Sequence, residues 1–336
     1  MTGSAVLPPR LRPGDVVAVI SPSAGDAARY ARRAARGVRA LEELGFVVDV
    51  MPNATRDRSW VSGTVRERVD DVHRAFADER VRAIASFIGG NHSAQLLGSL
   101  DHDLIAGNPK VLFGYSDMTS LLHAVHRMTG LVTFYGPQVL PQFGEWPRPM
   151  RETVDHFRAV TSVAAPAGAF PVLDGIVREF IDWADDEVRP REQEKATGRR
   201  VIRDGRARGP LVAGCLPTIR HLVGTPWQVD CRGSVLVLDI PDSRYRVADA
   251  DADLWHLRNA RIMDGLAGLV VCRSRHFDEP LTDQLCDVID EVTRPYGFPV
   301  LAEFESGHGD PALTIPIGPV AELSGAELTV LDAAVC

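Results

Sequence analysis

The sequence predicts an α/β protein of two domains. Three observations carry that expectation. Short apolar runs rich in β-branched residues alternate with helical stretches, turn residues close those runs, and the alternation resumes after a charged interruption. A length of 336 residues fits two domains of roughly 100–200 residues each. Hydrophobic residues make up 45% and charged residues 24%, so a core of ordinary globular size is available to offset conformational entropy.

The elements follow in order. VVAVISPSA (Val16 to Ala24) is a strand that ends in Ser-Pro-Ser, a turn signal. Ala27, Ala31, Ala35, Val38 and Leu41 recur at helical spacing, and Gly45 closes that helix. FVVDVMP reads as the second strand and Arg66 to Asp78 as the second helix. AIASFIGG (Ala83 to Gly90) is a third strand running into a glycine turn, and VLFGYSD (Val111 to Asp117) a fourth, followed by a helix over Thr119 to Met128. Such alternation implies parallel β-α units, whose functional loops lie at the carboxyl ends of the strands. Gly89-Gly90 and Ser116-Asp117 both fall there. From about Arg148 to Arg208 the chain reads as a connection with a surface segment able to carry short strands or helix, and its run DWADDEVRPREQEKATGRR as a solvated face. LVAGCL, SVLVLDI (Ser234 to Ile240), a helix near Leu254 to Asp264, GLVVCRS, a helix over Leu281 to Tyr296 and FPVLAEF make a second α/β domain. The expected division is therefore residues 1–165, a charged surface segment 166–208, and 209–336.

Several function classes are disfavoured. A formal net charge of -8 argues against binding nucleic acid through phosphates. The cysteines (Cys215, Cys231, Cys272, Cys286 and Cys336) are odd in number and not closely paired, which fits thiols in a reducing compartment rather than a disulfide framework. No HExxH, paired-cysteine or histidine-rich cluster occurs, so neither a catalytic metal nor another cofactor is expected. The opening MTGSAVLPPRLRPGD has no apolar signal core, and no run approaches the ~20 apolar residues of a membrane helix. The expectation is a cytoplasmic protein with no membrane partner.

Four segments carry possible chemistry. In FGYSDMTSLLHAV, Ser116 sits between a strand and a helix, where a sharp turn exposes a hydroxyl and aims the following amides at an oxyanion. The same position also suits a helix N-cap. In FIGGNHSAQLL, Gly89 and Gly90 permit close backbone approach; they would supply an oxyanion donor, an anion loop or merely a tight turn. In ESGHGDPALTIPIG, His308 stands between two glycines as a candidate general base or a solvated loop histidine. In LVLDIPDS, Asp239 ends an apolar strand, where it would orient an imidazole or cap a turn; Asp242 is the neighbouring acid.

Together and in this order, these segments resemble the LD-carboxypeptidase family of serine peptidases, closest to its microcin C immunity branch. LRPGDVVAVISPSA is similar to the family's opening strand, and RSWVSGTVRERVDDVHRAFADERVRAIASFIGG to its second αβ unit. VLFGYSDMT, TFYGPQVL, GPLVAGCLPTIRHLVGTP and SGHGDPALTIPIG complete a likeness over nearly the whole chain. The resemblance implies a flavodoxin-like parallel N-terminal domain and a swivelling β/β/α C-terminal domain, with the site between them and usually a homodimer. It places the nucleophile on Ser116, the base on His308 and the triad acid on Asp239, with oxyanion amides from Gly90 and Asp117. Asn91 and His92 would face substrate, and Trp183, in FIDWADD, would be either an aromatic platform for a nucleobase or a surface-packed tryptophan. The implied substrate is a small peptide or a peptidyl-nucleotide-like conjugate, its amide cleaved through an acyl-enzyme.

Three departures accompany the likeness. The family's triad acid is Glu, but Asp239 is one methylene shorter and Ile240 follows it. The family's Gly-Gly-Asn is Ala213-Gly214-Cys215 here. The immunity branch's GGxNS is Gly89-Gly90-Asn91-His92-Ser93, with His at the usual Asn position. Three functions therefore compete: an amidase acting on an antibiotic or related metabolite, a murein tetrapeptide carboxypeptidase, and a repurposed or inactive member.

Overall fold

A computed structural model describes residues 5–241 and 244–336; Asp242 lies outside the described residues. The N-terminal half lays down β1 (Val16–Ile20), α1 (Asp26–Arg29), α2 (Ala31–Glu43), β2 (Val47–Val50), α3 (Val65–Ala77) and β3 (Val81–Ser86). Then come α4 (His102–Gly107), β4 (Val111–Gly114), α5 (Met118–Thr129) and β5 (Thr133–Tyr135). The strands pair in parallel in the order β2-β1-β3-β4-β5, the flavodoxin-like arrangement, with its crossover reversal at β1 and β3. All of β4 and β5, and β1 after Val16, are buried, as a parallel sheet covered on both faces requires. Local signals set the helix limits. Thr64 and Glu67 form a reciprocal capping box that starts α3, and Gly130, at φ +74°, ends α5.

The second half begins with α6 (Arg151–Ser162), β6 (Pro166–Ala169), a small hairpin of β7 (Gly175–Ile176) and β8 (Glu194–Lys195), and β9 (Arg200–Arg203). It continues through β10 (Arg206–Cys215), α7 (Leu216–Leu222), β11 (Val235–Asp239), α8 (Val247–Asn259), β12 (Gly268–Cys272), α9 (Glu279–Thr293) and β13 (Val300–Phe304). The chain closes with β14 (Ile315–Ile317), β15 (Val320–Ser324) and β16 (Glu327–Ala333). A second sheet runs β6-β16-β15-β10-β11-β12-β13-β9, with β10 to β13 parallel and the flanking strands antiparallel. No helix among the described residues is long and apolar enough to cross a membrane.

The structure departs from the sequence reading in four places. First, the short strands of segment 166–208 are not confined to a surface connection, because β6 and β9 form the two edges of the second sheet. Second, 209–336 does not stay in its own layer: β14 returns to pair antiparallel with β5, Ile315 opposite Tyr135. Third, the helix expected from Ala27 to Leu41 breaks at Tyr30, and its inner face is not the alanine stripe. Ala31 and Ala35 are exposed, whereas Arg33 and Arg36 are buried with Ala34, Gly37, Ala40 and Leu41. Fourth, α8 starts at Val247, earlier than expected, because alternating acids in VADADADLW hide its apolar spacing.

The buried arginines explain the charged run. Asp186 is buried and accepts from both Arg33 and Arg36; Arg33 also meets Glu145 at 2.9 Å, and Arg36 meets Glu187 at 2.6 Å. Arg191 pairs with Glu145 at 2.9 Å and with Asp310 at 2.7 Å, and Arg199 pairs with Glu305 at 2.7 Å. Apart from the exposed Glu187, these charges are buried and paired, as burial of a charge requires. The expected solvated face is thus partly an internal network joining residues 180–200 to both sheets.

Candidate active site

The turn between β4 and α5 is the first part of the site. Ser116 has φ +62°, a left-handed conformation that strains a residue with a Cβ and turns its side chain out of the sheet edge. Gly114 makes this possible, since a Cβ there would lie 2.5 Å from Ser86 Oγ and 2.8 Å from Met118 Cγ. The turn is also tied to the second sheet. Thr119 Oγ1 donates to the Ser116 carbonyl at 2.6 Å and accepts from the Cys215 N–H at 2.9 Å. Deeper in α5, His123 contacts the Ala213 carbonyl at 2.8 Å, and burial lowers its pKa to about 4. Gly214 lets the helix approach, as a Cβ there would lie 2.5 Å from Thr119 Cγ2.

The second part comes from β11 and the loop after β13. Asp239 ends β11 with no exposed surface. Its Oδ2 meets His308 Nδ1 at 2.6 Å, and its Oδ1 accepts from the His308 backbone N–H at 3.0 Å. Because the carboxylate only accepts, the proton between them belongs on Nδ1, which leaves Nε2 as the basic nitrogen. Gly307 has a steric role beyond exposing the imidazole. At φ +71°, a Cβ on it would lie 2.0 Å from Asp239 Oδ1. Gly307→Ala should therefore displace the loop and lower kcat by about 10²-fold or more, the scale of an ångström's misplacement. Steady-state rates beside a thermal melt check this; a variant within threefold of wild type would show that the loop does not need this contact.

The loops carrying Gly90 and Asp117 are held to each other. The Asp117 carboxylate accepts from the backbone N–H groups of His92 and Ser93, each at 2.8 Å, and Ser93 Oγ donates to the Asp117 carbonyl at 2.5 Å. Gly89 presses on the turn, since a Cβ there would lie 2.9 Å from Ser116 Cβ and 3.2 Å from the Asp117 nitrogen. Gly90, at φ +138°, has no room for a side chain beside Ser23. Among the described residues, the backbone N–H groups of Asp117 and Gly90 meet no acceptor.

Ser116, His308, Gly90 and Trp183 line one cavity of about 390 Å³. Asp26, Arg33, Arg191, Arg275 and Asp310 make its charged wall, and Tyr115, Gln138 and Gln142 line it as well. Trp183 is half-buried, with the Arg33 guanidinium 4.9 Å from its ring centroid and Tyr30 edge-on at 5.4 Å. Burial raises the pKa of Asp26. For Asp310, burial acts in the same direction but the Arg191 and Arg275 guanidiniums outweigh it, so its carboxyl stays below the usual range.

Asn91 and His92 do not line this cavity. Asn91 is exposed, and His92 serves the loop through its backbone, its N–H reaching Ser23 Oγ at 2.9 Å as well as Asp117. That they face substrate remains what the family likeness implies. Conversely, the structural roles of Arg33, Arg191 and the Asp117 side chain had no signal in the sequence. Cys215, Asp239 and His308 offer donor atoms within 4.8 Å of one another, the kind of set that holds a metal ion. Their present arrangement instead commits Asp239 to His308, and burial, together with the Asp239 charge, raises the Cys215 thiol pKa well above its usual value.

An α/β sheet edge that sets a strained serine into one cavity with a carboxylate-held histidine defines a serine hydrolase. Within that class the chain belongs to the LD-carboxypeptidase family of serine peptidases: residues 17–136 match the LD-carboxypeptidase N-terminal domain and residues 208–323 the LD-carboxypeptidase C-terminal domain. The microcin C7 self-immunity protein MccF of Escherichia coli is 30% identical over 309 residues, covering 91% of this chain and 89% of that protein. A probable murein peptide carboxypeptidase of Bacillus subtilis is 29% identical over 334 residues, covering 98% and 95%. The solved structure of MccF in complex with aspartyl sulfamoyl adenosine superposes with a TM-score of 0.91 at 28% identity, covering 98% of this chain and all of that one.

Proposed function

We propose that the protein cleaves an amide bond of an aminoacyl or peptidyl nucleotide-like conjugate through an acyl-enzyme, with Ser116 as nucleophile, His308 as base and Asp239 as orienting acid. Ser116 Oγ attacks the carbonyl carbon as His308 Nε2 takes its proton, and the amides of Asp117 and Gly90 stabilise the oxyanion. The imidazolium then protonates the leaving nitrogen. Water, deprotonated by His308, attacks the acyl-enzyme and releases the acid.

The observation that carries the substrate reading is Trp183, whose ring is held by Arg33 and Tyr30 on the wall of the cavity that contains Ser116 and His308. A fixed aromatic face suits a nucleobase, and the MccF structure bound to aspartyl sulfamoyl adenosine supports the reading. A murein tetrapeptide is the alternative, supported by the relative named for murein peptides. The Asp239–His308 contact of 2.6 Å speaks against an inactive member. The family likeness also carries the proposal of a homodimer, which sedimentation reads directly.

Hydrolysis of an aminoacyl-sulfamoyl adenosine should exceed that of murein tetrapeptide in kcat/KM. Trp183→Ala should raise KM for the nucleotide conjugate about 10–100-fold, the value of one base stack, with kcat little changed. Trp183→Phe should recover part of the loss. Faster turnover of the tetrapeptide, with Trp183→Ala neutral on the nucleotide conjugate, would overturn the assignment.

A further inference from the structure

Tyr135 is wholly buried at the end of β5, where the parallel register sets it opposite Gly114, two residues before Ser116. Its hydroxyl oxygen meets two groups. It lies 3.0 Å from the Ser116 backbone nitrogen and 2.5 Å from Asp239 Oδ2. The direction of both hydrogen bonds follows from chemistry alone. A backbone N–H only donates, so the phenol oxygen accepts from Ser116; an ionised carboxylate only accepts, so the phenol proton goes to Asp239.

We infer that Tyr135 is a positioning residue of this site, in which one phenol oxygen fixes both the backbone of the nucleophile and the carboxylate that holds His308. The inference rests on the proposed roles of Ser116, His308 and Asp239. It has a consequence for the oxyanion. In many serine hydrolases the nucleophile's own amide is a donor to it. Here that amide is engaged by Tyr135, and stabilisation falls to the amides of Asp117 and Gly90. A second consequence concerns Asp239, which receives three hydrogen bonds, from Tyr135 Oη, His308 Nδ1 and the His308 backbone. The short aspartate side chain at the end of β11 is thereby held from one other strand, β5, and one loop. Burial and the adjacent Asp239 charge push the Tyr135 pKa well above its usual value, so the phenol keeps its proton.

The test uses Tyr135→Phe, read by the rate at which a fluorophosphonate labels Ser116. In that reaction Ser116 Oγ bonds to phosphorus, fluoride leaves, and the serine proton passes to His308. The rate is independent of the natural substrate. Labelling of Tyr135→Phe should be about 10–100-fold slower at neutral pH, the scale of a hydrogen bond to a charged group. The acid limb of its pH profile should also move upward. With one donor fewer, the Asp239 charge acts more fully on the imidazolium and raises its pKa, while labelling needs neutral His308. The groups around the pair are Cys215 beside Asp239, the Tyr115 ring 4.8 Å from His308, Cys272 behind Asp239, and Asp26, Arg33, Arg191, Arg275 and Asp310 on the cavity wall. Tyr135→Phe changes none of those charges.

In a cycle with Asp239→Asn, the Tyr135→Phe effect should shrink, because the tyrosine acts partly through that carboxylate. In wild-type protein the Ser116 amide should exchange with deuterium more slowly than the Asp117 amide. This last measurement decides the matter even if the Phe variant does not fold. An unshifted acid limb with a loss matching the unfolded fraction, full additivity with Asp239→Asn, or equal exchange at the two amides would each overturn the inference. Absence of labelling in the wild type, with the slow Ser116 amide retained, would overturn the serine-nucleophile reading instead.

Discussion

Ser116→Ala is expected to remove turnover, lowering kcat by about 10⁶. The substitution deletes one hydroxyl and leaves the frame untouched. Ala and Ser carry the same strain at φ +62°, and the contacts that hold the turn are made by other atoms: the Ser116 carbonyl to Thr119, the Ser116 amide to Tyr135, and the Asp117 carboxylate to His92 and Ser93. Thermal stability should therefore stay within about 0.5 kcal/mol of wild type, as for a substitution that makes no cavity. Single-turnover kinetics with the nucleotide conjugate, beside a melting curve, check both halves. Retention of more than a few per cent of activity, an allowance for contaminating wild-type enzyme of about that order, would show that another group attacks the substrate.

Asp239→Asn should lower kcat by about 10⁴. The amide keeps the shape, but one of its two heteroatoms becomes a donor. Both carboxylate oxygens of Asp239 accept hydrogen bonds, so no rotation of an amide satisfies all three partners. The imidazole then turns to the other tautomer, and Ser116 loses its base. Asp239→Glu is the more informative change. Sequence comparison alone left two outcomes open, since a glutamate would either restore an ancestral geometry or overpack a site rebuilt around aspartate. The structure favours overpacking. Asp239 has no exposed surface, and the loop backbone at Gly307 comes so close that a single Cβ there would lie 2.0 Å from the carboxylate. An extra methylene costs about 1–3 kcal/mol in such a place. The glutamate variant should be less active than wild type and melt lower; a gain in kcat would show that aspartate is a weakened remnant.

Much of the frame was legible from local signals. The β-branched run of β1 with its Ser-Pro-Ser turn, Gly45 just after α2, and the apolar run of β3 leading into Gly89-Gly90 each act within a few residues, and each marks an element where the sequence places it. The charged run from Trp183 onward was misread for the opposite reason. Whether Asp186 and Arg191 face water depends on Arg33, Arg36, Glu145 and Asp310, which lie more than forty residues away in the chain. Composition reports how many charges a segment carries, but pairing decides which of them are buried.

By itself, the sequence determined the α/β class, the β-α units, and the strand-end and loop segments from which Ser116, His308 and Asp239 come, because strand periodicity and turn chemistry are short-range properties. Only the tertiary structure decided which atoms meet. It brought the carboxylate of β11 to the imidazole of a loop 69 residues later, and it set the phenol of Tyr135 between nucleophile and acid. It also set Arg33 and Arg191 on the wall of the cavity. The physical reason is common to all of these. A hydrogen bond needs partners within about 3 Å, and burial makes an unpaired group costly; both the approach and the burial are created by strand register and packing between segments that no local pattern connects.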